Sequence, residues 1–255
     1  KNCVLIGNQL ITTWVDHELM VARMGSFELG NQFENGPERV ELRTRRYVDS
    51  AVHPAGVVWS HLLDAEPLVL CSNEEKFVFI LWKKGIYAMG VDAGEHWRNP
   101  EPKWTPLENL PHAEVVISAS IQGSILHVWS RGSGHKTYDL KHGKILDSTI
   151  IEFDGVLESV YSSGKNHLLC YESGDTIWYC EGRIKKHFNL NGPVQYATWR
   201  EQDEAWHIAG WREEILASEV DISRHRLDEI PVQILHHKDA VLLLLNDGSF
   251  ISSSV

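Results

Sequence analysis

Two stretches of this sequence bring together side chains able to do chemistry at close spacing. The first is His96-Trp97-Arg98-Asn99-Pro100-Glu101-Pro102-Lys103-Trp104, where aromatics, charge and prolines coincide. Such a stretch reads as a long loop. Trp and Arg on the loops of a rigid scaffold anchor interfaces, so Trp97, Arg98 and Trp104 are expected to bind a partner. The second is the arginine run within Glu38–Tyr47, with Arg39, Arg43, Arg45 and Arg46. On a strand Arg39, Arg43 and Arg45 share one face and Arg46 lies opposite. Guanidinium forks grip carboxylates and phosphates in pairs, so Arg43, Arg45 and Arg46 are expected to hold an acidic partner segment. The competing reading is a solvated strand neutralised by Glu38, Glu41 and Asp49.

Other candidates carry less. The chain has 14 histidines, among them the pair His236-His237. Adjacent strand residues point to opposite faces, so the two would not share one ion, and no metal site is expected. No GxSxG, HExxH or P-loop pattern occurs. Neither a catalytic residue nor a cofactor is therefore assigned.

Composition narrows the partners. The 35 acidic and 24 basic residues leave a net charge of -11, which lacks the basic footprint of a nucleic-acid binder. No apolar run approaches the length of a membrane span, so no membrane insertion is expected. Cys3, Cys71, Cys170 and Cys180 show no metal-ligand spacing. They read as separate thiols in strands, and no Asn stands in an Asn-x-Ser/Thr site. Both features point to an intracellular location, cytoplasmic or nuclear. The chain opens without Met or a signal-like segment and reads as one domain over residues 1–255, a piece or processed form of a longer protein.

The elements that must position these residues are strands. Ten Trp favour pleated surfaces, and short apolar or β-branched runs come in pairs across turn residues. Gln9–Trp14 faces Glu18–Arg23, Lys76–Trp82 faces Gly85–Gly90, and Ser124–Ser130 faces Lys136–Leu140. Further along, His167–Glu172 faces Thr176–Glu181, Ala205–Gly210 faces Ile215–Val220, and Ala240–Leu245 faces Ser249–Ser253. With a two-residue turn at Ser173-Gly174, Cys170 would pair with Ile177 and Cys180 would point to the other face. Several hairpins follow a further strand, such as Leu68–Cys71 or Val115–Ser120, and a looser fourth strand completes each unit. The units recur every ~35–50 residues, the blade period of propellers. The fold class is accordingly all-β, a β-propeller of six or seven four-stranded blades, the stretch Ser26–Ala65 having room for a seventh. A β-sandwich is the rival. Runs such as Phe77–Trp82 and Ala240–Leu245 suit strands buried on both faces.

Local motifs agree with this. Thr137-Tyr138-Asp139-Leu140-Lys141-His142-Gly143-Lys144-Ile145-Leu146 resembles the end of a WD40 blade, where a strand closing in Trp-Asp, here Tyr138-Asp139, precedes a Gly-containing turn. His167–Gly182 is similar to the hairpin of RCC1-type repeats. Asp92-Ala93-Gly94-Glu95-His96-Trp97 resembles the Asp-box of sialidase-like propellers, Ser-x-Asp-x-Gly-x-Thr-Trp, with Gly90 in place of Ser and His96 in place of Thr. In those families the box is structural, its Asp bracing a turn and its Trp packing between blades.

These readings lead to two expectations of function. The first is a non-catalytic scaffold for protein–protein interaction, docking partners with acidic segments through its loops within a multi-subunit complex. The alternative is a carbohydrate-active propeller, a lectin or a sialidase-like glycosidase, which rests on the Trp content and the Asp-box resemblance.

Overall fold

The computed structural model describes residues 2–17, 21–31, 54–237 and 240–255, together with 36, 38, 40 and 44. The chain divides into two compact units. The first comprises Lys1–Ser130 with Gly134–Ile150, the second Arg131–Ser133 with Ile151–Val255. In the first unit, sheet 1 holds β1–β4 (Asn2–Ile6, Gln9–Asp16, Val21–Glu28, Val57–Leu63) and sheet 2 holds β5–β8 (Pro67–Ser72, Lys76–Leu81, Gly85–Gly90, Glu95–Asn99). Sheet 3 holds β9–β12 (Val116–Gln122, Ile125–Ser130, Gly134–Asp139, Ile145–Ile150). In the second unit, sheet 4 holds β13–β16 (Leu157–Ser163, Asn166–Tyr171, Asp175–Cys180, Arg183–Asn189) and sheet 5 holds β17–β20 (Tyr196–Arg200, Ala205–Gly210, Glu213–Ser218, Ile222–Arg226). Sheet 6 holds β21–β23 (Pro231–His237, Ala240–Leu245, Phe250–Ser252). Every sheet is an antiparallel meander whose strands lie side by side in chain order. These are the small repeated sheets that the paired hairpins called for, and they are not the two facing layers of a sandwich. No helix among the described residues is long and apolar enough to cross a membrane.

Alternation explains how such small sheets hold together. In β6, Phe77, Phe79 and Leu81 pack with Ile11 and Met24 of sheet 1, while Val78 and Ile80 pack with Leu126 and Val128 of sheet 3. One strand thus serves two neighbours, because successive side chains leave opposite faces. In β18, Trp206 and Ile208 join Leu168 and Trp178 of sheet 4, and Ala209 joins Ile234 and Leu243 of sheet 6. The expectation for Ala240–Leu245 needs correcting, since only Leu243 and Leu245 are buried there and Leu242 and Leu244 are half-buried.

The outer edges are tied by a repeated hydrogen bond. Trp59 of β4, Trp97 of β8 and Lys186 of β16 each stand opposite the residue two places before the end of their sheet's third strand, namely Ser26, Ala88 and Trp178. Trp59 Nε1–H donates to the Val91 carbonyl and Trp97 Nε1–H to the Leu140 carbonyl, each at 2.9 Å. Lys186 Nζ donates to the Ser218 and Glu219 carbonyls at 2.8 and 3.1 Å. Val91, Leu140 and Glu219 are each the first residue after the third strand of the next sheet. The acceptor is always main chain, so the contact depends on the backbone path and not on the partner's side chain.

Three sequence expectations shift. The run read as a loop from His96 begins inside β8, a strand that covers Glu95–Asn99. The stretch Ser26–Ala65 supplies the end of β3 and all of β4, and no seventh sheet occurs among the described residues. In the β14–β15 hairpin, Cys170 stands opposite Thr176, not Ile177, because the connection has three residues and Gly174 takes a left-handed φ of +89°. That register puts Cys170 and Cys180 on the same face. They remain four strand positions apart, about 13 Å, beyond disulfide reach. All four cysteines are free thiols. Burial pushes the Cys71 and Cys170 thiols up to about 12, whereas Cys3 is exposed. A thiol-reactive probe at pH 8 is therefore expected to label Cys3 in the native protein and to reach Cys71 and Cys170 only after denaturation, as read by mass spectrometry of the labelled peptides.

Candidate functional site

Four lysine side chains surround a groove in the first unit, between sheets 2 and 3. It encloses about 700 Å³ and is lined by Lys83, Lys84, Lys103 and Lys136, with Pro102 and Tyr138. Four lysines meet one lining carboxylate, Glu101, on a chain that is acidic overall. The local field therefore opposes the global one, which favours an anionic occupant.

Each lysine is set by a different element. Lys83 and Lys84 form the tip of the β6–β7 hairpin with Trp82, a residue 44% exposed. Lys83 has a left-handed φ of +55°, costly for a side chain with a Cβ. Its N–H donates to Glu101 Oε1 at 3.0 Å, and its ammonium lies 4.9 Å from the centre of the Trp82 ring. Lys84 has no side-chain partner among the described residues. Lys103 sits between Glu114 and Glu101, at 3.5 and 3.6 Å, and these carboxylates raise its pKa. Lys136, on β11, donates to the Lys103 carbonyl and lies 5.2 Å from the Trp104 ring centre. Partial burial holds its pKa below the ordinary lysine value despite the attraction of Glu114. Lys103 and Lys136 are thus largely occupied within the protein, while Lys83 and Lys84 present open charge.

The residues expected from sequence fall into distinct places. Arg43, Arg45 and Arg46, with Arg39, lie outside the described residues. Trp104 is only 3% exposed and packs into the core between sheets 2 and 3. Its backbone N–H donates to Glu114 Oε1 at 2.6 Å, which seats the loop under the groove. Trp97 is half-buried against the same core and donates across to sheet 3. Arg98 is exposed, paired with Glu95 at 2.8 Å and lying over Tyr87. The loop is therefore floor and wall for the groove, and the Trp82-Lys83-Lys84 tip is the part that sequence reasoning passed over as a turn.

The Asp-box-like segment has the bracing geometry of its namesake. Gly94 N–H donates to Asp92 Oδ1 at 3.0 Å and Gly90 N–H to the Gly94 carbonyl at 2.9 Å. A Cβ at Gly90 would come within 2.8 Å of the Asp92 carboxylate, so the turn is tight at the position that Ser holds in the box. Trp97 then packs between sheets. Likewise Tyr138-Asp139 ends the third strand of its sheet, and Asp139 Oδ2 accepts the His142 N–H at 2.8 Å in the following turn.

A second cluster lies in the unit formed by sheets 4, 5 and 6. His207 and Glu214 are wholly buried, with Nε2 2.8 Å from Oε1. Glu214 also accepts Ser253 Oγ–H at 2.6 Å and Ser254 N–H at 2.8 Å. Burial opposes ionisation of Glu214, but these hydrogen bonds outweigh it and hold the carboxyl below its ordinary range. An ionised carboxylate only accepts, so His207 Nε2 carries the proton between them. With no path to solvent the pair is a clasp for residues 253–254, not a reaction centre. Among the described residues no group of three or more His, Cys, Asp or Glu is arranged to hold a metal ion. His236 and His237 are neighbours on β21, opposite Val241 and Ala240.

Comparison with known proteins supports the fold alone. No protein-family model and no curated protein matches the sequence. Among solved structures, the computationally designed Ika8 protein aligns with a TM-score of 0.64 at 8% identity, covering 97% of this chain and 68% of that one. BamB from Moraxella catarrhalis aligns with a TM-score of 0.60 at 9% identity, covering 97% and 70%. Both are β-propellers, and with its six small meanders this chain is a divergent β-propeller.

Two measurements check this anatomy. Trp97→Phe keeps an aromatic ring but removes the donor to Leu140 and part of the packed indole, and should cost at least about 1 kcal/mol, lowering Tm by roughly 2–4 °C or more. Glu214→Ala leaves His207 buried beside an empty space and should cost about 3 kcal/mol while freeing residues 253–255 to rapid amide exchange. Because the folded carboxyl titrates below its unfolded value of roughly 4.3, the stability from Glu214 is fully present above that pH. It is lost as pH falls through the lower, folded value, so the wild-type advantage over Glu214→Ala in urea melts should shrink in acid.

Proposed function

We propose that this propeller is a protein-interaction scaffold that holds an acidic segment of a partner in the lysine groove. The observation that carries the reading is the Trp82-Lys83-Lys84 tip: an exposed aromatic and two open ammonium groups beside a positively lined groove on an acidic protein. An exposed Trp flanked by cations suits a peptide that carries both carboxylates and apolar side chains. Arg98 lies on the strand that leads into the groove, and Arg43, Arg45 and Arg46 are assigned the same role on sequence grounds. Membership of a larger complex, a non-catalytic role and an intracellular setting complete the proposal. The sialidase-like alternative loses its local support, since the Asp92–Trp97 segment is accounted for by packing.

The test is a titration with a fluorescein-labelled peptide of alternating Glu and Leu. The wild type should bind in the micromolar range, more weakly as salt rises from 50 to 300 mM. Lys83→Glu with Lys84→Glu should weaken binding at least tenfold without lowering Tm, because both side chains are solvated. Undiminished binding by the double variant, or tight binding only on a glycan array, would overturn the assignment.

A further inference from the structure

The second unit carries its own cationic pocket, of different chemistry. It encloses about 530 Å³ and is lined by Asn191, Trp211, Arg212, Glu213, Arg224 and Arg226. That volume falls within the range of small-ligand sites. Asn191 comes from the connection that leaves sheet 4, and the remainder from sheet 5.

The arginines have unequal duties. Glu213 is buried and accepts hydrogen bonds from Asn191 N–H at 3.2 Å, Asn191 Nδ2 at 3.0 Å and Arg224 Nη1 at 3.4 Å. Arg224 also donates to the Asn189 carbonyl at 2.5 Å, so it is a fixed wall whose charge Glu213 balances. Arg226 stands opposite Glu213 in the β19–β20 ladder, on the same face as Arg224. Arg212 is the last residue of the two-residue β18–β19 turn. The side chains of Arg212 and Arg226 are exposed and have no hydrogen-bond or ion-pair partner among the described residues. Two uncompensated guanidinium groups therefore face one cavity.

The turn repeats the device at the lysine groove. Trp211 is 45% exposed, and Arg212 after it holds a left-handed φ of +57°. In the β14–β15 connection the left-handed place is filled by Gly174, which bears it without cost. At Arg212 a long cation is kept in a conformation that glycine would adopt more easily, a strain that accompanies functional sites. Trp211 is set firmly, since a Cβ on Gly192 would lie 2.7 Å from its own Cβ.

We propose that this pocket binds a phosphomonoester dianion through Arg212 and Arg226, with the organic body of the ligand against the Trp211 ring. Two open guanidinium groups match the charge of a phosphomonoester, about -1.5 to -2 at neutral pH, and their forks match its oxygens. A carboxylate would satisfy one of them only. The exposed indole offers a flat apolar surface for an aromatic ring.

The test is titration of the full chain at pH 7.5 with phenyl phosphate, inorganic phosphate and benzoate, followed by the Trp211 indole resonance in ¹⁵N-labelled protein. Phenyl phosphate should saturate the shift at least fivefold more tightly than inorganic phosphate and tenfold more tightly than benzoate. Arg212→Gly is the decisive variant, because it removes the guanidinium while relieving the backbone. Its Tm should equal or exceed that of the wild type while phenyl phosphate binding falls at least tenfold. Trp211→Ala, followed by calorimetry, should bring phenyl phosphate and inorganic phosphate to equal affinity. N-acetyl-phosphotyrosine amide and adenosine monophosphate then separate the sources: tighter binding of the first supports a phosphorylated polypeptide, of the second a nucleotide, and either upholds the dianion site. No saturable shift, equal binding of benzoate, or full binding by Arg212→Gly at unchanged stability would overturn it.

Discussion

A sheet of three or four short strands has two apolar faces and too little area to hide either by itself. Everything else in this molecule follows from that constraint. Because side chains alternate along a strand, β6 sends Phe77, Phe79 and Leu81 to one neighbour and Val78 and Ile80 to the other. Sheet 2 in the first unit, and sheet 5 in the second, is thereby the core of two interfaces at once. Polar groups that go inside can be placed where strands meet, as in the His207–Glu214 clasp, where the Nε2 proton is accepted by Glu214 and His207 Nδ1 has no hydrogen-bond partner among the described residues. A buried pair of this kind contributes little beyond what apolar residues would, but removing one partner leaves the other stranded.

With the faces of the inner strands committed to packing, turns, connections and outer strands such as β20 are left to meet other molecules. Two turns use that freedom alike, with an exposed Trp followed by a basic residue in the left-handed region, Trp82-Lys83 and Trp211-Arg212. The surroundings then divide their chemistry. Lys83 and Lys84 are point charges on flexible stems beside a long groove, which suits an extended acidic chain. Arg212 and Arg226 are planar forks beside a compact cavity walled by Arg224, which suits a single multidentate anion.

The hairpins were legible in the sequence because their strands are apolar and most of their turns are marked by Gly, Asp or Ser. β6 and β7 lie within one residue of the expected bounds. The outer strands were not, and the reason is visible in β12 and β16: Ile145–Ile150 and Arg183–Asn189 are mostly exposed and show no alternation, so main-chain bonding alone identifies them. Trp97 and Trp104 were ambiguous for a different reason. The same indole serves an interface or a core, and only the register that sets Trp97 opposite Ala88 decides between them. Lys83 and Lys84 carried no signal, since two lysines in a turn look like solvated filler until Pro102, Lys103 and Lys136 are seen beside them. The one-residue error at Cys170 arose from assuming a two-residue turn where Gly174 allows three.

The bond made by three of the outer strands has an evolutionary corollary. An indole at Trp59 and Trp97 and an ammonium at Lys186 fill the same place with an N–H aimed at a carbonyl, and the carbonyls belong to residues as different as Val91, Leu140 and Glu219. A joint that reads only backbone places no demand on the identity of the module beside it. Copies of such a module can be duplicated, reordered and left to drift while the seam between them survives. The architecture can therefore be inherited long after the repeats have ceased to look alike.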